Sequence, residues 1–319
     1  MLDLANRRVL VLGLGDTGLS MTRWLARHGV RVHVADTRPE PPHAATVARE
    51  WPEVGITRGG FQEKDFTDTD AIAISPGVDR RHAVVAAAAA RGVPIVGDIE
   101  LFALAIAHWP KPPRVLAITG SNGKSTVTAM AGDMCRAAGA PTVVAGNIGL
   151  PVLDALSAIE AGASLPEIAV LEVSSFQLES TTSLQADAAT VLNVCEDHLD
   201  RYDDLAQYAA AKARIFGGDG VQVLNRDDHR SLGMARASRP VVTFGFAAPR
   251  SADEWGIFES GQNAWLAHGA HRLLSVGELP LTGRHNAANA LAALALTRAL
   301  DLPEAPLVAA LRAFRGLPH

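Results

Sequence analysis

Short apolar runs recur along this chain, and most are followed by a stretch in which apolar positions return at helical spacing. RVLVLGL (8–14) reads as a buried strand, leading through a Gly-rich turn into a helix over 17–28 and then a second strand, RVHVADT (31–37). AIAISPG (71–77) predicts a third strand, with a helix around 80–91, a short strand VPIVGD (93–98) and a helix near 98–108. HWPKPPR (108–114) is Pro-rich and breaks the pattern, as a linker does. The same logic then restarts. RVLAITG (114–120), PTVVAGN (141–147), EIAVLEVSS (167–175), AATVLNV (188–194) and VQVLN (221–225) read as strands, with helices over 203–216 and 285–300. The stretch 241–282 predicts short antiparallel strands. Continuous apolar strands alternating with helices are the pattern of a parallel α/β sheet covered on both faces.

At 319 residues and 48% hydrophobic, the chain can form two domains with full cores and needs no disulfide or metal to fold. Its 29 basic and 34 acidic residues leave a formal charge of −5, which gives no global attraction to nucleic acid or to an anionic membrane. Cys135 and Cys195 form neither a disulfide framework nor a metal-ligand spacing, in keeping with a reducing compartment. The first apolar run is soon interrupted by Gly, unlike a signal peptide, and no window reaches the roughly 18 apolar residues of a spanning helix. The expectation is a soluble, cytoplasmic protein. Only four of the basic residues are Lys (64, 111, 124 and 212), the rest being Arg. A compact titratable amine is not interchangeable with a guanidinium, so Lys124 and Lys212, which fall inside motifs, attract notice.

Three signals carry chemistry. Gly13-x-Gly15-x-x-Gly18 follows a strand and opens a helix, with Asp36 closing the next strand. That context lets backbone N–H groups and a helix N-terminus meet a diphosphate, although a ligand-free turn of an α/β fold has the same glycines. Gly120-Ser-Asn-Gly-Lys124-Ser125-Thr126 repeats the arrangement. It departs from the full phosphate-loop pattern because Ile118 stands where the first Gly belongs, yet it keeps a lysine for phosphates and a hydroxyl for Mg²⁺. The third signal is polar groups at strand ends. Glu172 interrupts a buried strand and calls for either a cation partner or a metal. His198, in Cys195-Glu-Asp-His-Leu-Asp200, is read either as a metal ligand or as a capped surface His. Lys212 reads by default as part of a solvated helix face, and Asn286 and Asn289 as helix-capping residues. Two anion sites on two units suit a nucleotide-consuming enzyme with a diphosphate-bearing substrate.

Taken in order, ITGSNGKST, AGNIGLP, VLEVSSFQLE, LNVCEDHLDRY, YAAAKARIF, TGRHNAANALAALA and FRGLPH resemble the Mur ligases, from about residue 8 to the end of the chain. The resemblance implies an α/β fold. A Rossmann-like unit over 1–102 would bind a UDP-linked substrate, and an ATP-binding unit of phosphate-loop type over 103–316 would carry a small antiparallel sheet. Residues 317–319 would begin a third domain that supplies residues around ATP and the incoming amino acid. GSNGKST, SSFQLE and NVxEDHLDRY look most like the members that add D-glutamate to UDP-N-acetylmuramoyl-L-alanine, and the resemblance implies these two and ATP as partners of a monomer.

It also implies residue roles. Gly15, Asp16, Thr17, Asp36, Thr37, Arg38, Ser75, Pro76 and Gly77 would hold the uridine diphosphate, and Asn147 and Ser174 the muramoyl-alanine part. Ser121, Asn122, Gly123, Lys124, Ser125 and Thr126 would hold the ATP phosphates, and Asn286 and Asn289 the adenine. Lys124, Glu172, His198 and Lys212 would be catalytic. Of two Mg²⁺ ions, Ser125 and Glu172 would serve one, and His198 with a CO₂-derived carbamate on Lys212 the other. The implied reaction passes through an acyl phosphate.

Three other readings compete. A folylpolyglutamate synthase lacks a unit like residues 8–100. A NAD-dependent dehydrogenase explains Gly13, Gly15, Gly18 and Asp36 but not the Lys124 loop. A non-catalytic fragment that holds the UDP substrate differs from the ligase in no residue of this chain.

Overall fold

The computed structural model describes residue 4, residues 6–197 and residues 200–317. The chain packs as two compact units. The first takes residues up to Pro110, with 149–163 and 176–183 returning to it, and the second takes Lys111–Ile148, Ser164–Ser175 and the residues from Leu184 onward. The changeover at Pro110 lies inside the Pro-rich stretch, eight residues past the division expected at 102.

In chain order, the first unit begins with β1 (Arg8–Leu12), α1 (Asp16–Arg27), β2 (Arg31–Asp36), α2 (Ala44–Glu50) and β3 (Gly55–Arg58). It continues with β4 (Ala71–Ile74), α3 (Ala83–Ala90), β5 (Ile95–Val96) and α4 (Asp98–Ile106). The strands form a sheet in the order β3-β2-β1-β4-β5, paired parallel throughout. Leu10, Leu12, Ile72 and Ile74 are buried on one face with Phe66, Val85 and Ala88.

The second stretch of chain supplies β6 (Arg114–Thr119), α5 (Lys124–Ala137), β7 (Thr142–Gly146), α6 (Val152–Glu160), β8 (Ile168–Glu172), α7 (Ser175–Glu179) and β9 (Ala188–Val191). Then follow α8 (Leu205–Ala213), β10 (Val221–Asn225), α9 (His229–Leu232), β11 (Val241–Phe244), β12 (Glu254–Ser260), β13 (Asn263–His268), β14 (His271–Ser275), α10 (Arg284–Arg298) and α11 (Glu304–Ala313). Of these, α6 packs on α1 and α4 as part of the first unit.

The second unit is built on one nine-stranded sheet, β14-β13-β12-β11-β10-β9-β6-β8-β7. Here the reading of 241–282 as antiparallel needs correction. β11 pairs parallel with both β10 and β12, and only β12-β13-β14 run antiparallel, continuing the sheet rather than forming a separate one. An edge strand needs no crossover helix of its own, so a meander can close a parallel sheet without changing its apolar pattern. All five residues of β8 are buried, as a central parallel strand requires. α5, α10 and α11 cover the sheet, with Met130, Met134, Leu291, Leu294 and Leu311 in its core. α10 is buried almost all round from Ala287 to Thr297, which explains its weak amphipathic period.

Candidate active site

In the first unit, β1 runs into α1 through Gly13, Leu14 and Gly15. Gly18 sits in the first turn of α1 so close to the loop that a Cβ there would lie 1.8 Å from the Gly13 carbonyl oxygen, which only glycine permits. Gly15, by contrast, faces open space, and no side chain caps the helix it precedes. The first N–H groups of α1 are thus presented at the carboxyl end of the sheet, an arrangement suited to an anion. Ser75, at the end of the neighbouring β4, donates from Oγ to the Gly13 carbonyl at 2.9 Å and steadies the turn. Asp16 is exposed and 2.7 Å from His43 Nε2. Thr17, Thr37, Pro76 and Gly77 lie at the same strand ends, half-buried or exposed.

Asp36 is buried, and its carboxylate is engaged by its own chain. It accepts from the Leu14 N–H at 2.6 Å and the Arg38 N–H at 2.8 Å, and it pairs with the Arg38 guanidinium at 2.6 Å. Burial pushes its pKa up, but the Arg38 and backbone hydrogen bonds outweigh that and bring it down to about 2. Its role here is to hold the exposed Arg38 and the Gly-rich turn in register.

In the second unit, the order β9-β6-β8-β7 gathers four strand ends on one edge, the place where parallel α/β sheets hold ligands. After β6 comes the loop 120–123. Gly123 takes a left-handed φ of +83°, and a Cβ on it would approach Asn289 Oδ1 to 2.6 Å. Only glycine can therefore turn the chain into α5 beneath Asn289. Lys124, the first residue of α5, folds back so that Nζ donates to the carbonyls of Gly120 and Ser121, each at 2.9 Å. Burial lowers its pKa, while Glu172 and Asp197 act in the opposite sense.

Glu172 ends β8 and is 2% exposed. Among the described residues its carboxylate is met by the Asn147 amide at 3.1 Å rather than by a basic side chain at ion-pair distance. Ser121 to Thr126, Asn147 and Glu172 line one cleft of about 350 Å³ together with Ile148 and Leu317. Ser125 and Glu172 offer hard oxygen donors to that cleft, the chemistry that suits Mg²⁺. Ser174, two residues past Glu172, is half-buried.

Lys212 departs from the expected solvated face, being 1% exposed. From α8 it reaches across to donate to the Gly120 carbonyl at 2.9 Å, the acceptor that Lys124 also uses. Burial first, and then the charge of Lys124, lower its pKa to about 7 against the pull of Asp197. Asn286 and Asn289 are not capping residues. The cap of α10 is Gly283, and both asparagines stand inside the helix. Asn286 donates to the Thr282 carbonyl at 2.8 Å, and Asn289 Nδ2 lies 3.4 Å from Asn286 Oδ1. His198 lies outside the described residues, as do Pro318 and His319.

Two further residues of this site were not singled out by the sequence. Asn193, just past β9, accepts from the Asn122 N–H at 2.8 Å and locks the loop to the neighbouring strand end. Tyr208 lies buried between Lys212 and Ser121. A polar residue at a buried strand end announces the first, whereas a tyrosine in an Ala-rich helix announces nothing.

Comparison with known proteins agrees with this arrangement. The profile of the Mur ligase middle domain matches residues 118–297, and that of the Mur ligase MurD-like N-terminal domain matches residues 7–97. The chain is 56% identical to the UDP-N-acetylmuramoylalanine–D-glutamate ligase of Thiobacillus denitrificans, over all of this chain and 69% of that one. It is 54% identical to the enzyme of the same name from Methylobacillus flagellatus, over all of this chain and 68% of the relative. Among solved structures, UDP-N-acetylmuramate:L-alanyl-gamma-D-glutamyl-meso-diaminopimelate ligase from Neisseria meningitides aligns with a TM-score of 0.66 at 20% identity, covering 99% of this chain and 100% of that one. UDP-N-acetylmuramate-alanine ligase from Thermotoga maritima gives 0.57 at 21%, covering 97% and 69%. At such identities these two show the fold.

Proposed function

This chain belongs to the Mur ligase family, and from that membership we propose that it serves the ATP-dependent joining of D-glutamate to UDP-N-acetylmuramoyl-L-alanine. Ligases of this family make peptide bonds with ATP in peptidoglycan synthesis, and this chain is a ligase of that kind. The observation that carries the reading is the meeting of Lys124 and Lys212 at the Gly120 carbonyl of a phosphate loop. Two amines placed at one loop, with a buried carboxylate in the same cleft, are what transfer of a phosphoryl group asks of a protein.

The substrate carboxylate attacks the γ-phosphorus of ATP, the bond to ADP breaks, and an acyl phosphate forms. The D-glutamate amine then attacks the acyl carbon, loses a proton, and inorganic phosphate leaves. The chain's part is alignment and charge. The amides of Ser121 to Thr126 and the Lys124 ammonium receive the phosphates, and Asn289 and Asn286 border the nucleoside side of the loop. Mg²⁺ supplies neutralisation of phosphate charge when bound, with Ser125, Glu172 and His198 as its donors. Lys212, with a pKa brought down to about 7 by burial and by Lys124, is shared between ammonium and free amine at neutral pH, and the free amine is the form that adds CO₂ to give the carbamate. Gly15, Asp16, Thr17, Asp36, Thr37, Arg38, Ser75, Pro76 and Gly77 form the uridine-diphosphate seat, and Asn147 and Ser174 contact the muramoyl-alanine part. The protein acts as a cytoplasmic monomer. Among the described residues no helix is long and apolar enough to cross a membrane, which is compatible with that location.

Calorimetric titration tests the reading. The chain is expected to bind UDP-N-acetylmuramoyl-L-alanine and Mg·ATP saturably and to ignore NADH. Lys124→Met should weaken Mg·ATP by about tenfold or more and leave the UDP compound unaffected, since a lost charge-assisted contact is worth about 1.5–3 kcal/mol. Binding of NADH in place of the UDP compound would return the Gly-rich turn to a dehydrogenase.

A further inference from the structure

Tyr208 is 1% exposed and one helical turn ahead of Lys212, so the two side chains share a face of α8. Its ring lies under the lysine, with Nζ 4.3 Å from the ring centroid. The Tyr202 ring, 5.1 Å away between centroids, packs against the Tyr208 ring. The Tyr208 hydroxyl oxygen is 3.4 Å from Ser121 Oγ, and Ser121 Oγ also accepts from the Cys195 N–H at 3.0 Å. One side chain thus touches the lysine, the phosphate loop and, through Ser121, the segment after β9.

The energetics of the lysine explain why such a contact matters. Lys212 is as buried as a core residue and shares its carbonyl acceptor with a second ammonium. Among the described residues no carboxylate stands at ion-pair distance from its nitrogen. An ammonium without a carboxylate is drawn to the negative face of an aromatic ring, and more strongly when water is excluded. Without the ring, the amine would have the Gly120 carbonyl and repulsion from Lys124, and other rotamers of its long stem would compete.

We propose that Tyr208 is a positioning residue of the nucleotide site, its ring fixing the unmodified Lys212 amine against Gly120 and its hydroxyl tying α8 to Ser121 of the phosphate loop. This rests on the reading of the loop as the ATP site, and the experiment separates the two. The four lysines of the chain make the measurement simple. With lysine labelled at Cε, a two-dimensional proton–carbon spectrum of the full chain in bicarbonate-free buffer holds four ε-methylene signals, and Lys212→Arg identifies one of them.

The ring current should place the Lys212 signal upfield of the other three in the unmutated chain. Tyr208→Phe, which keeps the ring, retains the displacement. Tyr208→Leu abolishes it and weakens Mg·ATP binding by about fivefold, within the range of a desolvated cation–π contact, with Tyr208→Phe restoring most of that loss. A Lys212 signal without upfield displacement in the folded, unmutated chain overturns the proposal, whether or not the Leu variant folds. So does a folded Leu variant that binds Mg·ATP as the unmutated chain does. A chain that shows the displacement but binds no Mg·ATP keeps the placement of the lysine and sinks the nucleotide reading, and with it the positioning role.

Discussion

Asp98 opens α4 fully buried, and the side chain it meets is the neutral amide of Gln177, which donates to Oδ2 at 2.9 Å. Burial raises its pKa from 3.8 to about 6, while Gln177 and first-turn N–H groups pull the other way. The folded chain therefore binds this proton more tightly than the unfolded one does. Its contribution to stability is present below about pH 4, is lost as pH rises towards 6, and is absent at neutral pH. Asp98→Asn keeps an acceptor for Gln177 without a charge. It should raise the melting temperature at pH 7, by a free energy on the order of 2 kcal/mol, and change little at pH 4. An equal effect at both pH values would show that the carboxylate is not proton-linked. Such environments are hidden from a linear reading. Asp36, Glu172 and the two Gly-rich loops were legible because each stands at the end of an apolar strand. Lys212 was legible as chemistry but not as a buried residue, since the Ala-rich helix that carries it has no polar face to contrast with it.

At the scale of the element, α8 places both Tyr208 and Lys212, and its start is fixed by one side chain. Asp204 caps it, accepting from the Gln207 N–H at 2.7 Å. Asp204→Ala should cost about 1 kcal/mol, read as a lower urea midpoint, because an orphan N–H loses its partner. The variant should also blur the ε-methylene signal of Lys212, since fraying begins one turn before Tyr208. An unchanged midpoint and spectrum would mean that packing alone fixes this helix. The central parallel strands were legible as unbroken apolar runs, because both of their faces are covered. Elements whose signal conflicts with a local rule were not. α11 contains Pro306, which reads as a breaker but lies in the first turn, where its missing N–H costs nothing. α2 is seven residues long and offers too few turns for a period. β11 has a strand's composition, but its direction depends on its partner and not on its residues.

The whole first unit is not a continuous piece of sequence, and this has a testable consequence. Glu100 of α4 is 5% exposed and accepts four hydrogen bonds from a later segment: the N–H groups of Thr182 and Ser183 at 2.6 and 2.8 Å, and their hydroxyls at 2.9 and 2.6 Å. Burial alone would raise its pKa, yet these donors hold it below the usual carboxylate value. Leu153 and Leu156 are fully buried on α6, which packs on α1 and α4. A fragment ending at Pro110 contains every strand of the five-stranded sheet and looks like a domain by sequence, but it lacks the partners of Glu100 and the cover of α1 and α4. The lost hydrogen bonds to a carboxylate and the uncovered leucine contacts together should cost at least about 3 kcal/mol. Amide hydrogens of β1 and β4 report this directly, because core strands exchange only through global opening of their unit. Their exchange in the fragment should be faster than in the intact chain by about 100-fold or more, since each tenfold step corresponds to about 1.4 kcal/mol. Equal protection would mean that residues 149–163 and 176–183 merely lie on a unit that is already complete. Faster exchange would mean that synthesis must reach residue 183 before the first unit can close.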